Sequence, residues 1–253
     1  MGAVFSHTPS LFGTVHIGVL ALVVLANIAA AYRLRRLDEE RLLRILHRLG
    51  ICMLLAEAWK QWFCYVYLFD KEPNLWFFPW QLCSMAMYCS FFIIYLKRKT
   101  QTAVLVFLSS YSLLGGVIAL ILPYDMLRPQ IALLIHSFAY HGAMITEAMI
   151  ALMILSKRYK KEKPAFLPAT LLFLIMAAIA EVVNMISHVI LHDAELEPNM
   201  FYITPYYPSS QPVFHDIAVK CGIAWGIVAY IGVIILTSNG IFMIEKLVIR
   251  RKT

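Results

Sequence analysis

Seven long apolar runs fill almost the whole 253-residue chain, at 11–32, 42–68, 75–96, 101–122, 129–155, 164–191 and 217–244. A segment in hydrocarbon must satisfy its backbone polar groups internally, so only helices and closed barrels can span a bilayer. Each run reaches the roughly 20 residues that a spanning helix needs. All are too long and too evenly apolar for barrel strands, which alternate over about ten residues. The expectation is an all-α, seven-transmembrane helical bundle forming a single integral membrane domain over residues 1–253. A composition of 61% hydrophobic and 15% charged residues, with mean hydropathy +0.72, excludes an ordinary soluble domain.

The net charge of +7 could point to nucleic acid, but the placement of the basic residues explains it more simply. Arg33, Arg35, Arg36, Arg41, Arg44 and Arg48 occupy the first connection, Lys97, Arg98 and Lys99 the third, and Lys157, Arg158, Lys160, Lys161 and Lys163 the fifth. Lys246, Arg250, Arg251 and Lys252 close the chain, leaving only Lys60, Lys71, Arg128 and Lys220 elsewhere. That is the positive-inside asymmetry, which places the N-terminus outside and the C-terminus in the cytoplasm. An odd number of spans is required, in agreement with the hydropathy. No nucleic-acid partner is needed, and no protein partner is legible. Residues 1–13 carry no Lys or Arg, so the first span is expected to be a retained anchor and not a cleaved signal. The location is thus multi-pass in a membrane, the plasma membrane if the source is bacterial.

Ionisable and amide groups inside spans are expensive and are candidates for function by default. At about 1.5 Å per residue, Cys83 lies roughly 12 Å along the third span and His136 roughly 10 Å along the fifth. Glu57 and Lys60 on the second span, Gln81 on the third, Glu181, Asn184 and His188 on the sixth, and Lys220 at the mouth of the seventh fall near the same layer. Trp76, Phe77, Phe78 and Trp80 form an interfacial belt just above Cys83. Lipid ester carbonyls lie at that depth. A thiol there needs a proton acceptor, because the thiolate is the nucleophile. His136 is the favoured base, and His141 faces another side of the helix. Asn184, Glu181 or His188 could orient the base, and Gln81 or Asn184 could donate to an oxyanion.

Other readings compete. Glu57 and Lys60 at a spacing of three could be a plain buried ion pair, and Cys83 a small hydrophobe in a helix contact. His188 and His192, with His215 across the last loop, could hold a metal for lipid hydrolysis. The aromatic stretch around Tyr202, between residues 193 and 216, is either a lid over the polar layer or an interfacial anchor. Intramembrane Glu57, Lys60, Glu181 and Lys220 also suit a transporter or receptor for an ion or small polar solute. Polar residues that only join helices would make a structural protein.

Pro79-Trp80-Gln81-Leu82-Cys83-Ser84, followed by Pro123-Tyr124-Asp125, His136, Asn184 and the 199–205 stretch, resembles the YwaF-type family of membrane proteins. The likeness runs from about Leu75 onward. Gln81 stands where a His is common in that family. The family's animal branch moves acyl chains between phospholipids and lysophospholipids through an acyl-cysteine intermediate. The resemblance therefore implies Cys83 as the acylated residue, His136 as its partner, membrane phospholipids and lysophospholipids as substrates, and no cofactor.

Overall fold

The computed structural model describes residues 3–69, 71–72, 74–123, 126–191 and 197–252. These form helices and no strand, with one isolated bridge between Val4 and Gln130. Helix α1 spans Thr14–Leu34, α2 Glu39–Tyr67, α3 Met85–Phe92, α4 Arg98–Phe107, α5 Leu113–Ile121, α6 Ile131–Arg158, α7 Leu167–Leu191, α8 Phe214–Cys221 and α9 Ile223–Lys252. A π-helical turn, Leu108–Ser112, joins α4 to α5 without a break.

Among the described residues five stretches are long and apolar enough to cross a membrane: Thr14–Leu34, Arg98–Ile121, Ile131–Arg158, Leu167–Leu191 and Ile223–Arg251. The second apolar run also forms a helix, α2, of 29 residues, but it begins among Glu39, Glu40, Arg41 and Arg44 and carries Glu57 and Lys60 inside. The third run differs from the sequence expectation. Its helix, with flanking 3-10 turns, covers only Leu82–Tyr95, about 21 Å against a hydrocarbon core of about 30 Å. Pro79 keeps the turn Leu75–Phe77 from running on, since it lacks an N–H and disfavours helical geometry at Phe78, the residue before it. Gln81, two residues further on, has extended backbone, with φ −83° and ψ 162°, and the helix starts at Leu82. Cys83 thus sits in the first helical turn and not two turns inside a span.

The seventh run also departs from one continuous helix, since Gly222 adopts φ +103° and separates α8 from α9. An L side chain is strained there, and glycine permits the break.

The apolar windows of Arg98–Ile121 and Ile131–Arg158 are 61% and 56% buried, against 6% for α1 and 17% for α9. The α4–α5 rod and α6 therefore form the centre, and α1 and α9 offer side chains such as Leu22, Leu25 and Leu236 to the surroundings. Tyr111 of the π turn stacks on Phe107, Phe166 and Phe173 with ring centroids 4.9 to 5.5 Å apart. At Gly50, α2 presses on α3 so closely that a Cβ would stand 2.4 Å from the Phe91 nitrogen.

Basic residues gather at one end of the bundle, but one of them is not solvated. Arg158, at the end of α6, is 1% exposed. Its guanidinium reaches Glu39 at 2.8 Å, Gln101 at 2.6 Å and Thr102 at 3.2 Å. A planar guanidinium spreads five donors in a fixed fork, which suits acceptors on separate helices better than a compact ammonium does.

Candidate functional site

Helix α2 contributes an ion pair, Lys60 Nζ to Glu57 Oε1 at 2.7 Å, with Glu57 buried. Gln61 donates to the same carboxylate at 2.7 Å and to the Phe77 carbonyl, tying the pair to the turn that precedes Cys83. Lys60 and Glu57 are the charges that act on Cys83, and the same two act on His136. One ion pair therefore lies within electrostatic reach of both. Tyr140 of α6 and Tyr230 of α9 in turn sense Cys83. The N–H of Cys83 and the Ser84 hydroxyl also act on the sulfur.

His136 packs against Trp59 and Tyr140, each with ring centroids 5.8 Å away. Neither of its buried ring nitrogens meets a partner within hydrogen-bond geometry among the described residues, the Ala56 main chain being the nearest to doing so, and no hydrogen bond joins it to Cys83. His141 differs, since its Nδ1 bonds the Ser137 carbonyl at 2.8 Å. The turn bearing Cys83 is fixed from two sides: Tyr88 donates to the Pro79 carbonyl and Trp80 Nε1 to the Met176 carbonyl.

Gln81 and Asn184 do something other than the oxyanion role read from sequence. Gln81 Nε2 donates to the Asn199 carbonyl at 2.9 Å, and its Oε1 accepts from the Phe201 N–H at 2.8 Å. Asn184 Oδ1 accepts from the Met200 N–H at 2.7 Å, and its Nδ2 donates to the Met200 carbonyl at 3.1 Å and to Glu181 at 3.4 Å. Two side-chain amides on separate helices thus mimic backbone partners and clasp one turn. Asn199, Met200 and Phe201 are each at most 1% exposed. The 199–204 part of the aromatic stretch is a mostly buried plug between helices, while Pro205 and Tyr206 beyond it are exposed. Phe201 and Tyr202 both hold φ at 58°, a strained conformation for bulky residues that the clasp over-determines. The Tyr202 ring meets Tyr230 edge-on at 6.3 Å.

His188 stands apart from this group, stacked on Tyr206 at 3.5 Å with its Nδ1 2.9 Å from Glu197. His215 bonds the Ser209 carbonyl at 3.0 Å. His192, the middle member of the metal trio read from sequence, lies outside the described residues, as do Tyr124 and Asp125. Among the described residues no group of three His, Cys, Asp or Glu could hold a metal ion. Lys220 is exposed on α8. Beside Glu197, burial and then that carboxylate push the Tyr207 phenol up to about 12.

A cleft of about 380 Å³ opens beside this site, lined among others by Gln61, Trp62, Tyr65, Phe69 and Phe78. Cys83 does not line it. Gln61 is the link, since it reaches from the cleft to Glu57.

The model of the TMEM164 family matches residues 11–237. The chain belongs to that family. Neither the curated proteins nor the solved structures contain a match to it. For a TMEM164-family chain with five apolar helices of spanning length, the setting is a membrane crossed several times. The matched region contains every site residue named above, from Glu57 through Tyr230.

The sequence reading did not single out Tyr140, Tyr230 or Gln61. Tyr140 stands four residues from His136, a spacing that shares a helix face. Nothing in the sequence signals that Tyr230 approaches Cys83.

Proposed function

We propose that this protein is a membrane-embedded acyltransferase that moves fatty acyl chains between phospholipids and lysophospholipids through an acyl-Cys83 intermediate. That chemistry is the one implied by the YwaF-type resemblance around Cys83. The observation that carries it is the placement of Cys83 in the first turn of a helix, beside an ion pair that also acts on His136, whose ring nitrogens have no side-chain partner and only the Ala56 main chain nearby. The start of a helix favours developing negative charge and leaves backbone N–H groups without intrahelical acceptors. The N–H groups of Leu82 and Cys83 take the oxyanion role that Gln81 and Asn184, held by the plug, do not fill.

In the first half-reaction His136 takes the Cys83 proton and the sulfur attacks the ester carbonyl. The carbon–oxygen bond breaks, and the departing lysophospholipid oxygen receives the proton from His136. In the second, a lysophospholipid hydroxyl loses its proton to His136 and attacks the thioester, and the proton returns to sulfur. The approach of His136 to Cys83 requires substrate to draw them together, as catalytic hydrogen bonds often tighten only in the bound complex. The cleft bordered by Trp62, Tyr65 and Phe78 supports a sideways route for lipid. Seven crossings complete this reading: α2 and the short helix Leu82–Tyr95 join the five apolar helices, with the N-terminus outside.

The test is acyl exchange between phospholipid and lysophospholipid by purified protein in vesicles. Cys83→Ala should lose exchange entirely, and His136→Gln should lose it by about 10²-fold or more, the scale of a general base. Full exchange by Cys83→Ala overturns the reading.

A further inference from the structure

The face of α6 that carries His136 continues through Tyr140 to Glu147. The eleven-residue step from His136 to Glu147 makes just over three whole turns, which returns Glu147 to the same side. Glu147 is 0% exposed, and neither of its carboxylate oxygens has a hydrogen-bond partner among the described residues. The other buried glutamates all have one: Glu57 has Lys60 and Gln61, Glu197 has His188, and Glu245 accepts from Ser109. Among the described residues four hydroxyls are buried and equally unpartnered, on Tyr140, on Ser90 of α3, on Ser112 of the π turn and on Ser238 of α9. The π turn packs against α6, and π turns inside α-helices are frequent at functional sites.

The groups that interact with Glu147 are the Ser90 hydroxyl, Cys89 and Tyr140, and no cation is among them. From α1 the polar side chains facing α6 are Asn27, already bonded to the Gly142 carbonyl and to Thr146, and His16, which packs on Phe138 and is bonded to the Leu120 carbonyl. From α2, Glu57 and Lys60 act on His136. From α4, Gln101 and Thr102 serve Arg158. A carboxylate with no cation beside it, and with only the Ser90 hydroxyl nearby and outside hydrogen-bond geometry, is among the most costly groups to bury, and the usual remedy is neutralisation. A buried polar site with several unmet groups is also where bridging water resides.

We propose that Glu147 carries an exchangeable proton and forms the far end of a water-bridged relay through the Ser90 and Tyr140 hydroxyls to His136. The carboxyl proton passes to a bridging water as that water gives one of its own to Tyr140, whose hydroxyl proton moves on through water to the imidazole. The return runs the same way, so no proton is gained or lost overall. The relay stands on burial and unmet hydrogen bonds, independently of acyl transfer at Cys83.

Infrared spectroscopy of the full chain in lipid tests it. A carbonyl band from a protonated buried carboxyl should be present at neutral pH, be lost in Glu147→Gln, and shift within minutes of transfer to D2O. Tyr140→Phe should keep the band and slow its shift severalfold, and Cys83→Ala should leave both unchanged even where lipid exchange is abolished. A spectrum with no band assignable to Glu147, as for a carboxylate neutralised by a metal cation, overturns the proposal. So does a band that stays unshifted in D2O for hours. Should Glu147→Gln fail to fold, glutamate labelled with ¹³C at the carboxyl, combined with Glu147→Asp, reads the same band and decides between the same results.

Discussion

Asn184 sits two helical turns from the end of α7 with an amide that makes both halves of a backbone-like pair to Met200. Removing it leaves the Met200 N–H buried without a partner and the Met200 carbonyl with only the long contact from the Ile203 N–H at 3.4 Å, and an orphaned buried group costs about 1 to 3 kcal/mol. Asn184→Ala should therefore lower the melting temperature and raise hydrogen exchange across residues 199–204, while leaving exchange in α4 and α6 unchanged. Protection that persists at 199–204 would contradict the clasp. From sequence, Asn184 and Gln81 stand out as polar residues in apolar runs, which is enough to mark them as important. Their partners are main-chain groups more than a hundred residues from Gln81 and sixteen from Asn184, and backbone groups leave no trace in composition. The same limit applies to Arg158, which by position belongs with the solvated basic cluster yet is buried by Glu39, Gln101 and Thr102 from other helices.

Among the elements, α2 and α3 show how tightly this bundle depends on small residues. A Cβ at Gly50 would meet the Phe91 nitrogen at 2.4 Å, whereas one at Gly18 on α1 would meet nothing within 4 Å. Gly50→Ala should force the helices apart and destabilise the fold despite the better helix propensity of alanine. Gly18→Ala should be neutral or stabilising by up to about 1 kcal/mol. Thermal unfolding of the two variants side by side checks this, and equal melting temperatures would count against the close α2–α3 contact. Element existence was legible in the apolar runs, because helix length and hydropathy are local properties. The interruptions at Pro79 and Gly222 were less so. Each is a familiar helix breaker, yet spanning helices tolerate such residues, and only the packing around 78–81 and the φ of Gly222 show that the helix stops.

For the molecule as a whole, the proposed seven-span arrangement puts the two termini on opposite sides of the membrane. Single reporter cysteines at Ser6 and Lys160, in a background lacking Cys52 and Cys221, provide the check. A membrane-impermeant thiol reagent should label Ser6→Cys in intact cells and Lys160→Cys only after permeabilisation. Labelling of both from one side would require a different number of crossings. At this scale the central buried helices, α4–α5 and α6, carry both the Arg158 network and the face running from His136 to Glu147, while α1 and α9 form the rim. Rim and centre are distinguishable only once the helices are packed, since all are apolar in sequence.

The central claim concerns one sulfur atom. Purified protein incubated with phospholipid bearing a defined acyl chain should gain the mass of that acyl group, with peptide fragmentation placing it on Cys83 and hydroxylamine removing it. Protein whose mass is unchanged under conditions in which it exchanges acyl chains, or an adduct on another residue that persists in Cys83→Ala, would contradict the account.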